Sequence, residues 1–221
     1  MVELSEVLLV EGETTLPGGW FDVRGHVCGL FSGVEEQYQV LLPFIKEGLD
    51  RGERAWHTVD PRRKLDHARR LEAFGIDVEA LISSGQLVVH DWEEAFFGAG
   101  DWDNMKTVEN FRALCVAGRS LGFPRTRFIW EGEYAMAVHT PDELLEYEAI
   151  FQAHAFPTPQ DQDVMICALK MPEWSGEVLV NALRTHPYAI VGGQFRENAF
   201  YEAPEDILAA CRRKRSAARC C

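Results

Sequence analysis

The chain has 221 residues, 47% of them hydrophobic, and a formal net charge of −13. That is enough apolar material for one sizeable domain with a core, and no run of about 18 apolar residues offers itself to a membrane. Arg212, Arg213, Lys214, Arg215 and Arg219 lie in the last eleven positions, so the rest carries about −18, a balance that disfavours direct nucleic-acid binding. The start, Met1 to Trp20, is acidic and lacks the basic region of a secretory signal. Six cysteines at 28, 115, 167, 211, 220 and 221 form no CxxC pair and no disulfide framework. A cytoplasmic protein with reduced thiols is expected.

Residues 1–19 read as a lead-in with a Pro17-Gly18-Gly19 turn. An apolar run, Val27 to Phe31, then passes through Ser32-Gly33 into a helical segment, Val34 to Leu49. A second apolar run, Ala55 to Val59, ends at Asp60-Pro61, completing a unit of βαβ length. A basic helix from Arg62 to Ala73 and a short one from Val78 to Ser83 lead to a strand, Leu87 to His90. Residues 93–105 are aromatic, acidic and Gly-containing, and read as a loop able to close over a site. The pattern continues with a helix from Lys106 to Leu121 and a strand from Arg127 to Trp130. A helix from Pro141 to His154 has Thr140 as its cap and acids in its first turn. The strand Val164 to Leu169, the helix Gly176 to Arg184 and a last strand, Tyr188 to Val191, follow. Strands alternating with helices predict a three-layer α/β domain, a mainly parallel sheet with helices on both faces.

In such sheets ligands sit beyond the carboxyl ends of the strands. The turn after the first strand, Ser32 to Gln37, carries Glu35 and Glu36 but no Gly-Lys-Ser/Thr, so it offers no grip on a triphosphate. Glu131 and Glu133 stand where a Walker B acid would, but hydrolysis without the phosphate loop is not expected. The strand ends present His26, Cys28, Phe31, Trp56, His57, Trp92, Trp130 and Glu131. That mixture suits a mostly apolar pocket with a few orienting polar groups. Taken singly, Phe31, Trp56 and Trp130 are as readily core. His26 and Cys28 are two apart, so a strand turns both to one face. With Glu131, His154, Cys167 and His186 they supply imidazole, thiol and carboxylate donors for Zn or Cu, in no compact motif. A thiol packing as a small hydrophobe is the plainer reading of Cys28 and Cys167. A reactive Cys28 would need its pKa lowered by a neighbour such as His26. A triad of Cys28 or Cys167 with His186 lacks a nucleophile elbow.

The segment PFIKEGLDRGERAWHTVDPRR, followed by LEAFGIDVEALISSGQLVVHDWEEAF, resembles the RecA/KaiC-like ATPase core, here lacking a Walker A loop. HVCGLFSG, Glu131 to Met136, Tyr147-Glu148-Ala149, the strand with Cys167 and the ending LRTHPYAIVGG…ENAFYEAP together resemble the MEDS family, the methanogen/methylotroph sensory domain of dichloromethane-responsive repressors. The resemblance covers roughly residues 20 to 208. Cys167 is followed by Ala168-Leu169-Lys170 in place of the family's Cys-x-Tyr-Asp-like strand end, which removes the expectation that this end contacts ligand. The resemblance implies a sensory domain at 20–210 for a small organic, hydrocarbon-derived ligand. It is expected to signal to a separate kinase or transcription regulator, with a homodimer as a further partner and no enzymatic activity. The alternatives are a metal- or thiol-based sensor using His26 and Cys28, and a small-molecule enzyme. Phe195 to Tyr201 is a candidate lid or dimer patch, and the basic tail, 211–221, is expected to be disordered.

Overall fold

The computed structural model describes residues 25–92, 103–133, 139–157 and 162–218. The lead-in at 1–19 and most of the acidic loop, 93–102, lie outside the described residues. Seven strands form one sheet: β1 (Gly25–Phe31), β2 (Arg54–Val59), β3 (Leu87–Asp91), β4 (Thr126–Glu131), β5 (Val164–Lys170), β6 (Tyr188–Val191) and β7 (Gln194–Glu197). Their order is β3-β2-β4-β5-β1-β6-β7, and only β7 runs antiparallel to its neighbour. The helices are α1 (Val34–Asp50), α2 (Lys64–Ala73), α3 (Val78–Ser83), α4 (Asn104–Ser120), α5 (Pro141–His154), α6 (Gly176–Thr185) and α7 (Pro204–Ala218). This is the expected three-layer α/β architecture, a mainly parallel sheet with helices on both faces.

Alternation along the strands sorts residues between two faces. Val27, Phe31, Ala55, Ile129, Val164, Ile166 and Ile190 pack with Val40, Leu41, Phe44 and Leu49 of α1, Leu71 of α2 and Val78 of α3. The intervening positions turn the other way. Trp56, Phe128 and Met165 meet Phe111 of α4 and Phe151 of α5, while Cys28, Trp130, Cys167 and Leu169 meet Leu144 of α5 and Val178 and Ala182 of α6. Each fully buried aliphatic or aromatic side chain contributes about 1.5–3 kcal/mol, so both faces must be covered.

The EGL-x-RGE-like stretch is a seat for one buried cation. Arg127 of β4 is 1% exposed; its Nε donates to Glu53 at 2.5 Å and its guanidinium pairs with Glu47 at 3.2 Å. Glu53 also accepts from Arg125 at 2.9 Å. Gly48 makes the seat possible, because a Cβ there would lie 2.5 Å from Arg127 Nε. Gly52, with φ 75°, then turns the chain into β2.

The expectation of a disordered tail is corrected over 211–218, which continue α7. Ile207, 1% exposed, packs with Leu145 and Ala149 of α5, and Lys214 and Arg215 pair with Asp142 and Glu146 on that helix. The run of positive charge is held by negative charge on α5.

Candidate functional site

α5 follows β4 and α6 follows β5, so both helices start near the carboxyl ends of the strands and run back across the sheet. Thr140 opens α5 with a capping box to Glu143, and Ser175 caps α6 through Val178 N. The residue before a proline is biased to extended backbone. His186, before Pro187, is extended (φ −113°, ψ 123°) and ends α6. Its Nδ1 lies 2.7 Å from the carbonyl of Ala182. A carbonyl only accepts, so Nδ1 carries the proton and Nε2 is left as a lone pair.

That lone pair points into a buried group of four residues. One ligand atom each from His26, Glu148, Cys167 and His186 lies within 4.8 Å of all the others. His26 Nε2 is 3.2 Å from Cys167 Sγ and 3.4 Å from Glu148 Oε2. His186 Nε2 is 3.9 Å from the same carboxylate oxygen and has no hydrogen-bond partner. The two imidazole rings stack with centroids 3.7 Å apart. Burial dominates the electrostatics. It lowers His186 to about 4, against a small opposing effect of the Ala182 carbonyl, and raises Glu148 to about 8. His26 falls well below the usual histidine range through burial and the neighbouring His186, with Gln152 acting the other way. Cys167 is pushed up by burial, then by Glu148 and Cys28. The histidines are held neutral, and neither thiol is an activated nucleophile.

A cleft between α5 and α6 ends on this group. It encloses about 390 Å³ between its atoms, part of it open to solvent. Trp130, Leu144, Leu145, Leu169, Trp174 and Val178 supply an almost wholly apolar lining, to which Glu148, Cys167, Asn181 and His186 add a small polar share. The arrangement suits a small, mostly apolar molecule with one polar end.

The eight strand-end residues do not converge on one pocket, which corrects that expectation. Trp130 lines the cleft, and His26 lies against its polar end. Cys28, fully buried, is the next residue on the same face of β1; its thiol is pushed up by burial and then by Glu148, and it stays outside the close set of four. Trp56 packs against Phe128 and His90 on the α4 side, and Trp92 follows the edge strand β3, outside the cleft lining. Phe31, His57 and Glu131 face α1 and α2 on the opposite side of the sheet. Of the six metal-donor candidates the structure brings together His26, Cys167 and His186; Cys28 and Glu131 are elsewhere, and His154 is exposed at the end of α5. Cys167 reaches the cleft despite the altered strand end after it. Glu148 was missed as a donor. Its signal was a carboxylate on the apolar stripe Leu144–Tyr147–Phe151 of α5.

The turn after β1 and the neighbouring strand ends on the α1 side are tied together by internal contacts. Glu36 accepts the Ser32 amide at 2.6 Å in the turn that precedes α1. Glu131 accepts from Gln37 Nε2 at 2.8 Å and from the Asp60 amide at 3.1 Å, with Arg63 at 3.5 Å. Lys170, buried, pairs with Glu133.

An α/β domain with a covered cleft on one helix-clad face is the class this geometry defines. Residues 25–187 match the family described as the methanogen/methylotroph, DcmR sensory domain. The chain belongs to that MEDS family of sensory domains. It is 20% identical over 178 residues to the transcriptional repressor DcmR of Methylorubrum extorquens strain DM4, covering 79% of this chain and 62% of the repressor. The chain thus spans less than two thirds of that relative's length. Among solved structures it is similar to the uncharacterized protein PH0321 of Pyrococcus horikoshii, crystallised with an unknown peptide, with a TM-score of 0.56, 14% identity and coverage of 77% of this chain and 80% of that one. The KaiC-like protein PH0186 of the same organism matches with a TM-score of 0.43 and 12% identity, over 75% of this chain and 68% of that one. A role in sensing and regulation follows from the family. No helix among the described residues is long and apolar enough to cross a membrane.

Proposed function

We propose that the domain binds a small organic molecule in the cleft between α5 and α6 and signals its presence to a separate regulatory partner, a transcription regulator or a kinase. The observation that carries this reading is the lining of the cleft, an apolar wall of Trp130, Leu144, Leu169 and Trp174 facing Glu148, Asn181 and His186. The response has a physical route. Leu145 lines the cleft and also packs against Ile207 of α7, so an occupant that moves α5 changes the seating of the C-terminal helix. The ligand acts by preferring one of those seatings, as any sensor requires. Catalysis has no support from the nucleotide seat, where Glu131 and Lys170 are taken up by internal partners.

The test is a calorimetric and melting-shift screen of short-chain alcohols, amines and halomethanes on the wild type and on Ala182→Leu. Ala182 is 8% exposed on the cleft wall. The larger side chain is expected to weaken any hit at least tenfold while the melting temperature stays close to wild type. A hit that Ala182→Leu leaves unchanged would place the ligand elsewhere.

A further inference from the structure

We propose that His26, Glu148, Cys167 and His186 form a binding site for a single divalent transition-metal ion, Zn²⁺ by preference, at the deep end of the cleft. The donor set is two imidazole nitrogens, one thiol and one carboxylate, with ligand atoms all within 4.8 Å of one another. A tetrahedral zinc ion with bonds of about 2.0–2.3 Å holds its ligand atoms about 3.3–3.8 Å apart. Three separations already fall near that range, at 3.2, 3.4 and 3.9 Å. The residues come from four elements of the chain: the start of β1, the middle of α5, the middle of β5 and the link from α6 to β6. None is a short-range motif that a solvated surface would leave by chance.

Two further observations point to an ion rather than to a closed hydrogen-bond network. The first is His186, 1% exposed, whose Nε2 faces the other three donors without a hydrogen-bond partner. Buried nitrogens are ordinarily paired. Its other nitrogen gives its proton to the Ala182 carbonyl, which fixes both tautomer and ring orientation. This is the outer-sphere arrangement that metal-bound histidines use. The second is charge. Glu148 and Cys167 as carboxylate and thiolate bring two negative charges, which a divalent cation cancels, so the loaded site buries no net charge. Thiol with imidazole favours zinc, copper or cobalt over magnesium or calcium. Glu148, Cys167 and His186 also line the cleft, so a polar atom of an occupant would meet the ion there. The inference stands whatever the organic ligand is, and without one.

The test uses the full chain with Cys220 and Cys221 replaced by serine, so that terminal thiols do not contribute. The protein is stripped with a chelator under reducing conditions and titrated with Zn²⁺ alone against a chromophoric chelator. One tightly bound zinc per chain is expected. Cys167→Ser, His186→Ala and Glu148→Gln should each weaken it by more than the roughly 10–100-fold that losing an outer-sphere partner costs. Cys28→Ser should leave it unchanged. Because a variant can fail to fold, Co²⁺ is also added to the protein with its four donors intact. A thiolate-to-cobalt charge-transfer band in the near ultraviolet supports the site. No stoichiometric zinc, no such band, or a zinc that survives Cys167→Ser and His186→Ala in folded protein would each overturn it.

Discussion

His67 makes the domain sensitive to acid, and His67→Gln should remove a measurable part of that sensitivity. The side chain is 3% exposed, on the α1–α2 side of the sheet. Its Nδ1 shares a hydrogen bond with the Tyr38 hydroxyl at 2.8 Å and its Nε2 shares one with His57 Nδ1 at 3.0 Å. Burial lowers its pKa from 6.5 to about 4, with Glu131 opposing, Arg63 assisting and Asp66 opposing to a smaller degree. The folded state therefore keeps it neutral, whereas the unfolded chain takes up a proton below about pH 6.5. The unfolded state binds more protons across that window, so stability falls as pH drops from about 6.5 towards 4 and levels off below. Integrated from pH 7.5 to pH 5, one such group removes about 2 kcal/mol. With a urea slope of about 2 kcal/mol/M for a chain of this size, that is a midpoint shift of about 1 M. Urea melts followed by tryptophan fluorescence at both pH values, on wild type and variant, isolate the effect. The static cost of losing the Tyr38 and His57 contacts appears at both pH values and cancels. His57, itself held low by burial and by His67, is partly relieved in the variant, which works in the same direction. Wild type and variant losing equal stability between pH 7.5 and 5 would refute the reasoning.

Glu53→Gln leaves Arg127 and Arg125 buried without their shared carboxylate, and should lower stability by about 3–5 kcal/mol in urea melts. Ile207→Ala opens a hole under α7, and should cost about 2–5 kcal/mol and speed hydrogen exchange in 204–218 well before it affects the sheet.

Most of the fold was legible because it is local. The apolar runs gave β1 to β6 to within two residues, and Thr140-Pro141-Asp142-Glu143 marked the start of α5 through its capping box. Two elements were not. β7, Gln194–Glu197, is a short, mostly exposed edge strand without an apolar pattern, and it pairs only because Gly192 and Gly193, both at positive φ, reverse the chain. The end of α7 is a charge run, which composition alone assigns to solvent; Asp142 and Glu146, some seventy residues earlier, hold it. The candidate site was half legible for a related reason. Reading strand ends as one location mixed residues of opposite parity, so Phe31, His57 and Glu131 were grouped with His26 and Trp130 although they face the other layer. His26 and Cys167 are 141 residues apart, and only the β1–β5 pairing, with Cys28 opposite Cys167, brings them together.

The two faces of the sheet differ in what they leave to bind. At the carboxyl ends on the α1 side the buried charges of Glu131, Lys170 and Asp60 each have an opposite charge beside them, from Arg63, Glu133 and Arg62. These pairs bring three carboxylates together with the cations that neutralise them. On the α5–α6 side, among the described residues, the ion-pair contacts of Glu148 are with His26 and His186 rather than with an arginine or lysine. The two imidazoles cannot both be protonated at 3.7 Å, and Glu148 is driven towards its neutral form by burial. The unpaired Nε2 of His186 thus lies under α5, the helix that lines the cleft with Leu145 and packs through the same residue on Ile207 of α7.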